Sequence, residues 1–153
     1  MGLHNRKGFT LVEIMIVVAI IALIAAIAIP NLLRARHNAN EGAAVGNMHT
    51  VLASIESFRA VQAPPSYPAD WTTLATAIPA YLDPVLQTGS KQGYLFAYTP
   101  TDSDGDGTFD VFTVTADPIT VGVTGTRGFF GDESGVIRAS ASGTATVADS
   151  PIG

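Results

Sequence analysis

The chain contains no cysteine among its 153 residues. This absence excludes disulfide bonds and thiolate metal sites, and it leaves the redox compartment of the protein open. Charged residues make up only 14% of the sequence, and the formal net charge is −5 at pH 7. Arg6 and Lys7 stand at the extreme N-terminus, so the remainder of the chain is more acidic still. Because no basic patch with interleaved aromatic residues is present, the sequence does not predict binding to nucleic acid.

Catalytic motifs are also absent from the sequence. The chain has no G-x-S-x-G, H-E-x-x-H or phosphate-loop pattern. Its three histidines, His4, His37 and His49, are scattered along the chain. The sequence therefore predicts a protein that is not an enzyme and that requires no cofactor.

The N-terminal part of the chain contains a long apolar run. It covers residues 9–29, where Thr10 and Glu13 are the only polar residues. At about 1.5 Å per residue, a helix of this length spans the roughly 30 Å of a bilayer's hydrocarbon core. The preceding basic residues favour a cytoplasmic N-terminus and an outer C-terminal domain. A carboxylate in such a segment is unfavourable by about 2.5–3.5 kcal/mol near the centre and by less near an end, so Glu13 is a candidate functional residue.

Three interpretations of this N-terminal segment compete. A secretory signal peptide would explain the basic start and a small-x-small site at residues 26–28, but its apolar core is usually only about 7–15 residues long. A plain transmembrane anchor, tethering a monomeric binding domain, has the right length but leaves Glu13 unexplained. The third interpretation is a family resemblance.

The resemblance is carried by Lys7-Gly8-Phe9-Thr10-Leu11-Val12-Glu13, followed by the apolar run and Pro30. This combination resembles the class III signal of prepilins, the precursors of type IV pilins and type II secretion pseudopilins. The similarity extends through about the first 60 residues and is looser beyond them. The looser stretches are "YLDPVL" (81–86), "GYLFAYTP" (93–100) and "GFFGDESGVIRAS" (128–140).

Processing and assembly follow from this resemblance. It implies that a prepilin peptidase cleaves between Gly8 and Phe9 and that the new N-terminal residue, Phe9, is N-methylated. It also implies that Glu13 pairs with the N-terminal amine of a neighbouring subunit as the helices pack into a homopolymer. Pro30 lacks a backbone N–H and crowds the carbonyl four residues earlier, so we expect a bend near residues 26–30. The resemblance implies that helix is often lost around this proline when subunits pack in filaments, which makes Pro30 an assembly residue.

The function that the resemblance implies is that of a structural subunit of an extracellular type IV pilus-like filament. The precursor would lie in a bacterial inner membrane and meet the prepilin peptidase and an inner-membrane assembly platform there. The alternative is the major pseudopilin of a type II secretion system, a periplasmic filament stabilised by calcium. The helix entry at residues 32–36 is more similar to pilins, whereas the missing cysteine pair departs from many of them.

The predicted fold class is α+β, with a long N-terminal helix packed on a small antiparallel sheet. Val45, Met48, Leu52 and Ile55 recur at three- and four-residue spacing and predict the buried face of the helix. The predicted segments are a leader (1–8), a hydrophobic helix (9–30), an amphipathic helix (31–62), a connecting region (63–92), the sheet (93–139) and a C-terminal tail or sheet edge (140–153).

Alternating aromatic and β-branched residues predict four strands, at 94–99, 108–116, 126–130 and 135–139. In the connecting region, Asp70 is the predicted N-cap of a short helix. An apolar plug between the long helix and the sheet is predicted to contain Trp71, Leu74, Ile78, Tyr81, Leu82 and Leu86.

The loop between the first two strands has the spacing of a calcium loop. Its residues match the first nine positions of an EF-hand, in which carboxylates and one carbonyl bind the ion. The candidate ligands are Asp102, Asp104, Asp106, Thr108 and Asp110. Thr113 stands where the closing glutamate belongs, so a site would need water or another acid such as Asp117 or Asp132. A solvated hairpin turn uses the same residue types and is the alternative.

Overall fold

A computed structural model describes residues 8–152 of the chain. Its longest element, helix α1, spans Leu11–Arg59 and is helical through Pro30. The described residues form two compact units, one reaching Ala35 and the other starting at Arg36. The bend near residues 26–30 stays a prediction. Apart from Gly8, the predicted leader lies outside the described residues.

The first unit is the N-terminal part of α1, and its large apolar side chains are all exposed. Within residues 8–152, α1 is the one helix long and apolar enough to cross a membrane, by length and composition alone. Apolar side chains on every face are typical of a helix that is surrounded by lipid or by other helices.

The second unit contains a six-stranded antiparallel sheet in which each strand pairs with the next one in sequence. Its strands are β1 (Ser90–Lys91), β2 (Tyr94–Thr101), β3 (Val111–Pro118), β4 (Gly128–Asp132), β5 (Arg138–Ser140) and β6 (Ser150–Pro151). The predicted α+β fold is confirmed, and the four predicted strands correspond to β2–β5. Strand β3 begins three residues later than predicted, because the Thr108 N–H and hydroxyl both donate to Asp106 within the preceding loop.

The sheet is wider than the predicted range of 93–139. Strand β1 precedes that range and β6 lies in the predicted tail, where it pairs with β5 and forms the sheet edge. The tail is attached because Ala145 is buried and Ile152 packs against the core. The Ile152 N–H also donates to the carbonyl of Ile137 at 2.9 Å.

The core of the second unit lies between α1 and one face of the sheet. Three residues of the predicted helix stripe, Met48, Leu52 and Ile55, are buried, and Val45 is partly buried against them. From the sheet, the buried partners include Tyr94, Phe96, Phe112, Val114 and Phe129.

The connecting region holds two short helices. Helix α2 (Trp71–Thr76) has the predicted cap, since Asp70 accepts from the Thr73 N–H at 2.7 Å. Helix α3 (Pro84–Gln87) follows Asp83 and was not predicted. Most of the predicted plug is present: Leu74, Leu82 and Leu86 are buried, and Trp71 and Tyr81 are partly buried. The prediction for Ile78 is wrong, because this side chain is 99% exposed.

Candidate functional site

The start of α1 is closed by three reciprocal hydrogen bonds between Thr10 and Glu13. Glu13 Oε2 accepts from the Thr10 N–H at 2.8 Å and from the Thr10 hydroxyl at 2.7 Å. In return, the Glu13 N–H donates to Thr10 Oγ1 at 3.3 Å. This is a capping box, the arrangement that a Thr-x-x-Glu pattern forms at a helix N-terminus. The Glu13 carboxylate therefore has partners within its own chain.

Gly8 and Phe9, the residues on either side of the predicted cleavage position, precede the helix. Phe9 is 86% exposed. A Cβ placed on Gly8 would meet no atom within 4 Å. Packing within the described residues therefore gives no reason for glycine at this position, and the two residues are open to an approaching protein. Pro30 lies inside α1, in a part of the helix whose residues are exposed.

The acidic loop between β2 and β3 brings together three of its predicted carboxylates. Oxygen atoms of Asp102, Asp104 and Asp106 lie within 4.8 Å of one another. The two oxygens of Asp102 accept from the N–H groups of Gly105 at 2.7 Å and Gly107 at 2.9 Å. Three carboxylates at this separation, two of them exposed and that of Asp102 half-buried, could converge on a hard cation such as calcium, which prefers oxygen ligands.

Asp110 is separated from this cluster by its own hydrogen bonds. Its carboxylate accepts from the Ser103 N–H at 2.9 Å and from the Ser103 hydroxyl. The Ser103 bonds lower the pKa of Asp110, and the hydroxyl and N–H of Thr108 lower the pKa of Asp106. Both carboxylates are therefore ionised at neutral pH.

The two acids suggested as closing ligands do not complete the loop. Asp117 is paired with Leu95 at the end of β3 that is remote from the loop. Asp117 is six steps along the strand from Val111, and at about 3.3 Å per step the separation is roughly 20 Å. Asp132 accepts from the Ser134 N–H at 3.0 Å, within its own turn.

A buried carboxylate on α1, Glu41, makes a major structural contact that the sequence analysis did not predict. Its Oε1 accepts from the backbone N–H groups of Thr126 at 2.9 Å and Arg127 at 3.2 Å. Its Oε2 pairs with Arg127 Nε at 2.7 Å. We call this arrangement the Glu41 clamp. It fixes the segment between β3 and β4 to the helix.

The clamp keeps Glu41 charged although the residue is only 7% exposed. Burial favours the protonated form, but the N–H of Thr126 and the guanidinium and N–H of Arg127 outweigh burial and lower the pKa of Glu41. The preceding residue, Asn40, donates to the Thr124 carbonyl at 2.8 Å and extends the same contact.

Comparison with known proteins supports the resemblance at the N-terminus. The family described as "Prokaryotic N-terminal methylation motif" matches residues 3–29. The type IV wide pilus major component PilA4 of Thermus thermophilus is 62% identical over 39 residues, which are 26% of this chain and 30% of that protein. The type IV major pilin protein PilA of Myxococcus xanthus is 44% identical over 54 residues, or 35% of this chain and 24% of the pilin. The chain thus spans less than a third of each pilin.

A third relative is similar over a longer range. The type II secretion system core protein G of Vibrio cholerae is 29% identical over 125 residues, covering 75% of this chain and 84% of that protein. No solved structure gives a significant match. The predicted resemblance to type IV pilins and type II secretion pseudopilins is confirmed by these matches.

Proposed function

We propose that this chain, which carries the N-terminal methylation motif and is similar to both type IV pilins and a type II secretion pseudopilin, is a non-enzymatic structural subunit of an extracellular type IV pilus-like filament. The observation that carries the proposal is the motif over residues 3–29 joined to an exposed apolar helix with one embedded acid. A prepilin peptidase removes residues 1–8 by cleavage between Gly8 and Phe9, and the amino group of Phe9 is then methylated.

Glu13, the acid embedded in the apolar helix, binds a specific group on a neighbouring subunit during assembly. Cleavage before Phe9 creates an amine at the N-terminus, and Glu13 of one copy pairs with this amine on a neighbouring copy. Opposite charges attract strongly when they are removed from water, and each is unfavourable there without the other. Before assembly, the capping box with Thr10 satisfies part of the hydrogen-bonding capacity of Glu13. Pro30 limits backbone bonding within α1 and marks the place where the helix adjusts to its neighbours.

The location follows from the same segment. The precursor is anchored in the bacterial inner membrane by α1, with Arg6 and Lys7 on the cytoplasmic side. There it meets the peptidase and an assembly platform, which transfers the cleaved subunit from the lipid into the growing filament. Contacts between helices of successive copies then replace contacts with lipid.

Fibres sheared from cells provide the direct test of this function. We expect the chain to be their main component, with a mass that lacks residues 1–8 and includes one added methyl group on Phe9. Mass spectrometry of purified fibres measures both changes. Recovery of the chain only as a membrane monomer that retains residues 1–8 would contradict the proposal and would favour an anchored binding domain.

A major pseudopilin of a type II secretion system is the second candidate. It is supported by the similarity to core protein G, which covers most of both chains, and by the acidic loop at Asp102, Asp104 and Asp106. Deletion of the gene separates the two candidates. Loss of surface fibres and twitching motility supports the pilus, whereas loss of protein export with motility retained supports the pseudopilus.

Calcium binding is proposed together with this second candidate. In calorimetric titration of the full-length chain in detergent, we expect calcium to release or absorb heat that saturates at millimolar concentration. Asp104→Asn should abolish this signal because it removes a carboxylate from the centre of the cluster. Glu133→Gln, which removes an exposed carboxylate from the turn after β4, is the control and should leave the titration unchanged. A flat wild-type titration would reject calcium binding.

A further inference from the structure

The segment between β5 and β6, residues 141–149, crosses the face of the sheet that is turned away from α1. We call it the C-terminal strap. The Gly143 N–H donates to the Thr126 carbonyl at 3.3 Å, and Ala145 of the strap is buried. Gly143 has a φ of +72°, a left-handed conformation that glycine adopts without strain. With no cysteine in the chain, the strap is held by these non-covalent contacts.

A carboxylate lies beneath the strap. Burial alternates along β3, so Asp117 projects from the face opposite the buried Phe112, Val114 and Ala116. Its Oδ1 is buried and has no hydrogen-bond partner among the described residues. A buried acceptor without a partner is unfavourable by about 1–3 kcal/mol, and by more when it is charged.

The neighbouring strand shows how closely this oxygen approaches the strap. The strand register pairs Ala116 with Phe129, and its continuation by one residue places Gly128 beside Asp117. A Cβ on Gly128 would overlap the Gly143 carbonyl oxygen and would lie 2.8 Å from Asp117 Oδ1. The two oxygens are therefore close neighbours. While Asp117 is ionised, both can only accept hydrogen bonds, whereas a protonated Asp117 has an O–H to donate.

The charged groups around this point do not neutralise Asp117. Arg127 pairs with Glu41 of α1, on the side of the sheet opposite to the strap. Arg138 projects from the same face of β5 and donates to the Asp149 carbonyl at 3.3 Å, while the Asp149 carboxylate accepts from Thr146. Tyr94, on the core face, donates to the Arg127 carbonyl. Among the ion pairs of residues 8–152, none includes Asp117.

We propose that Asp117 is a pH-dependent latch for the C-terminal strap. When protonated, it donates a hydrogen bond to the Gly143 carbonyl and holds the strap against the sheet. When ionised, it leaves two acceptor oxygens facing each other and the strap opens more often. This inference concerns the second unit alone and does not rest on filament assembly.

The direction of the pH effect follows from the burial of the carboxyl group. Burial raises the pKa of Asp117, and the Thr144 hydroxyl opposes this only in part. A raised pKa in the closed state means that closure binds a proton. Closure is therefore strongest below the ordinary Asp pKa and weakens as pH rises through the closed-state pKa. Each unit of pKa difference between the closed and open states changes the closing equilibrium tenfold.

Hydrogen exchange on the full-length chain in detergent micelles measures strap opening. We expect peptides covering 141–149, after correction for intrinsic exchange rates, to open several-fold more often at about pH 8 than at about pH 4. Asp117→Asn should remove this dependence and keep the strap protected at both pH values, because the amide donates a hydrogen bond at any pH. Gly128→Ala should open the strap at all pH values by overlapping Gly143, which provides the reference for the open state.

Glu133→Gln carries the same charge change at an exposed site and should retain the wild-type pH profile. A pH-independent opening rate in the wild-type strap would overturn the proposal. The same conclusion would follow if Asp117→Asn retained the wild-type pH dependence.

Discussion

Glu13→Gln is expected to reduce the yield of surface fibres at least about tenfold while leaving leader cleavage intact. The substitution keeps the size of the side chain and removes the charge that, in the proposed function, pairs with the N-terminal amine of the next subunit. A charged amine left without its partner in a packed helical bundle is unfavourable by several kcal/mol, and about 1.4 kcal/mol already corresponds to a tenfold change in an equilibrium. The measurement is the amount of the chain in sheared fibres relative to the amount in membranes.

Two comparisons make this result specific to the charge at position 13. Glu133→Gln removes an exposed acid from the second unit and should leave fibre yield at the wild-type level. The electrophoretic shift caused by loss of residues 1–8 should be the same in all three proteins. Normal fibre number and length in Glu13→Gln would show that charge pairing does not drive the subunit into its polymer.

Glu41→Ala is expected to lower the free energy of unfolding of the second unit by about 2–4 kcal/mol. The substitution leaves the N–H groups of Thr126 and Arg127 without their acceptor and removes the ion pair with the Arg127 side chain. Loss of one partner from a buried network has penalties of this size, although the partial exposure of Arg127 keeps the ion-pair contribution small. Fluorescence of Trp71, the single tryptophan, follows denaturant unfolding of this unit.

The stabilisation that Glu41 provides depends on pH in a defined direction. Because the clamp lowers the pKa of Glu41 in the folded state, its stabilisation is fully present above the unfolded pKa of about 4.3 and is lost as pH falls through the folded value. The difference in the free energy of unfolding between wild type and Glu41→Ala should therefore become smaller at acidic pH. Glu133→Gln should unfold like the wild type. If the free energies of unfolding of wild type and Glu41→Ala differ by less than about 0.5 kcal/mol at neutral pH, Glu41 does not stabilise the fold.

Much of the fold could be predicted because it depends on local patterns. The helix stripe at Met48, Leu52 and Ile55 follows the helical period, and the strands β2–β5 follow alternation over several residues. The elements that were missed are short: β1 and β6 have two residues each and α3 has four. Elements of two to four residues are too short to show a helical period or an alternating pattern, and β6 forms only by pairing with β5.

The site residues divide in the same way. The capping box could have been read from Thr10-Leu11-Val12-Glu13, since a Thr-x-x-Glu pattern before an apolar run is a known helix start. The role of Glu41 could not be predicted from the sequence, because its partners are 85 and 86 residues away. Nothing in the helix pattern distinguishes it from an exposed glutamate. Asp110 was grouped with the other acids by spacing, but Ser103 competes for its carboxylate.

The capping box also affects how a protease would reach the chain. Since α1 begins at Leu11 and Thr10 closes its first turn, the bond between Gly8 and Phe9 is already in non-helical backbone. Peptidases act on unwound substrates, and a scissile bond inside a continuous apolar helix would require local melting before hydrolysis. Here no helical hydrogen bond has to break, and the first turn that remains after hydrolysis keeps the hydrogen bonds between Thr10 and Glu13.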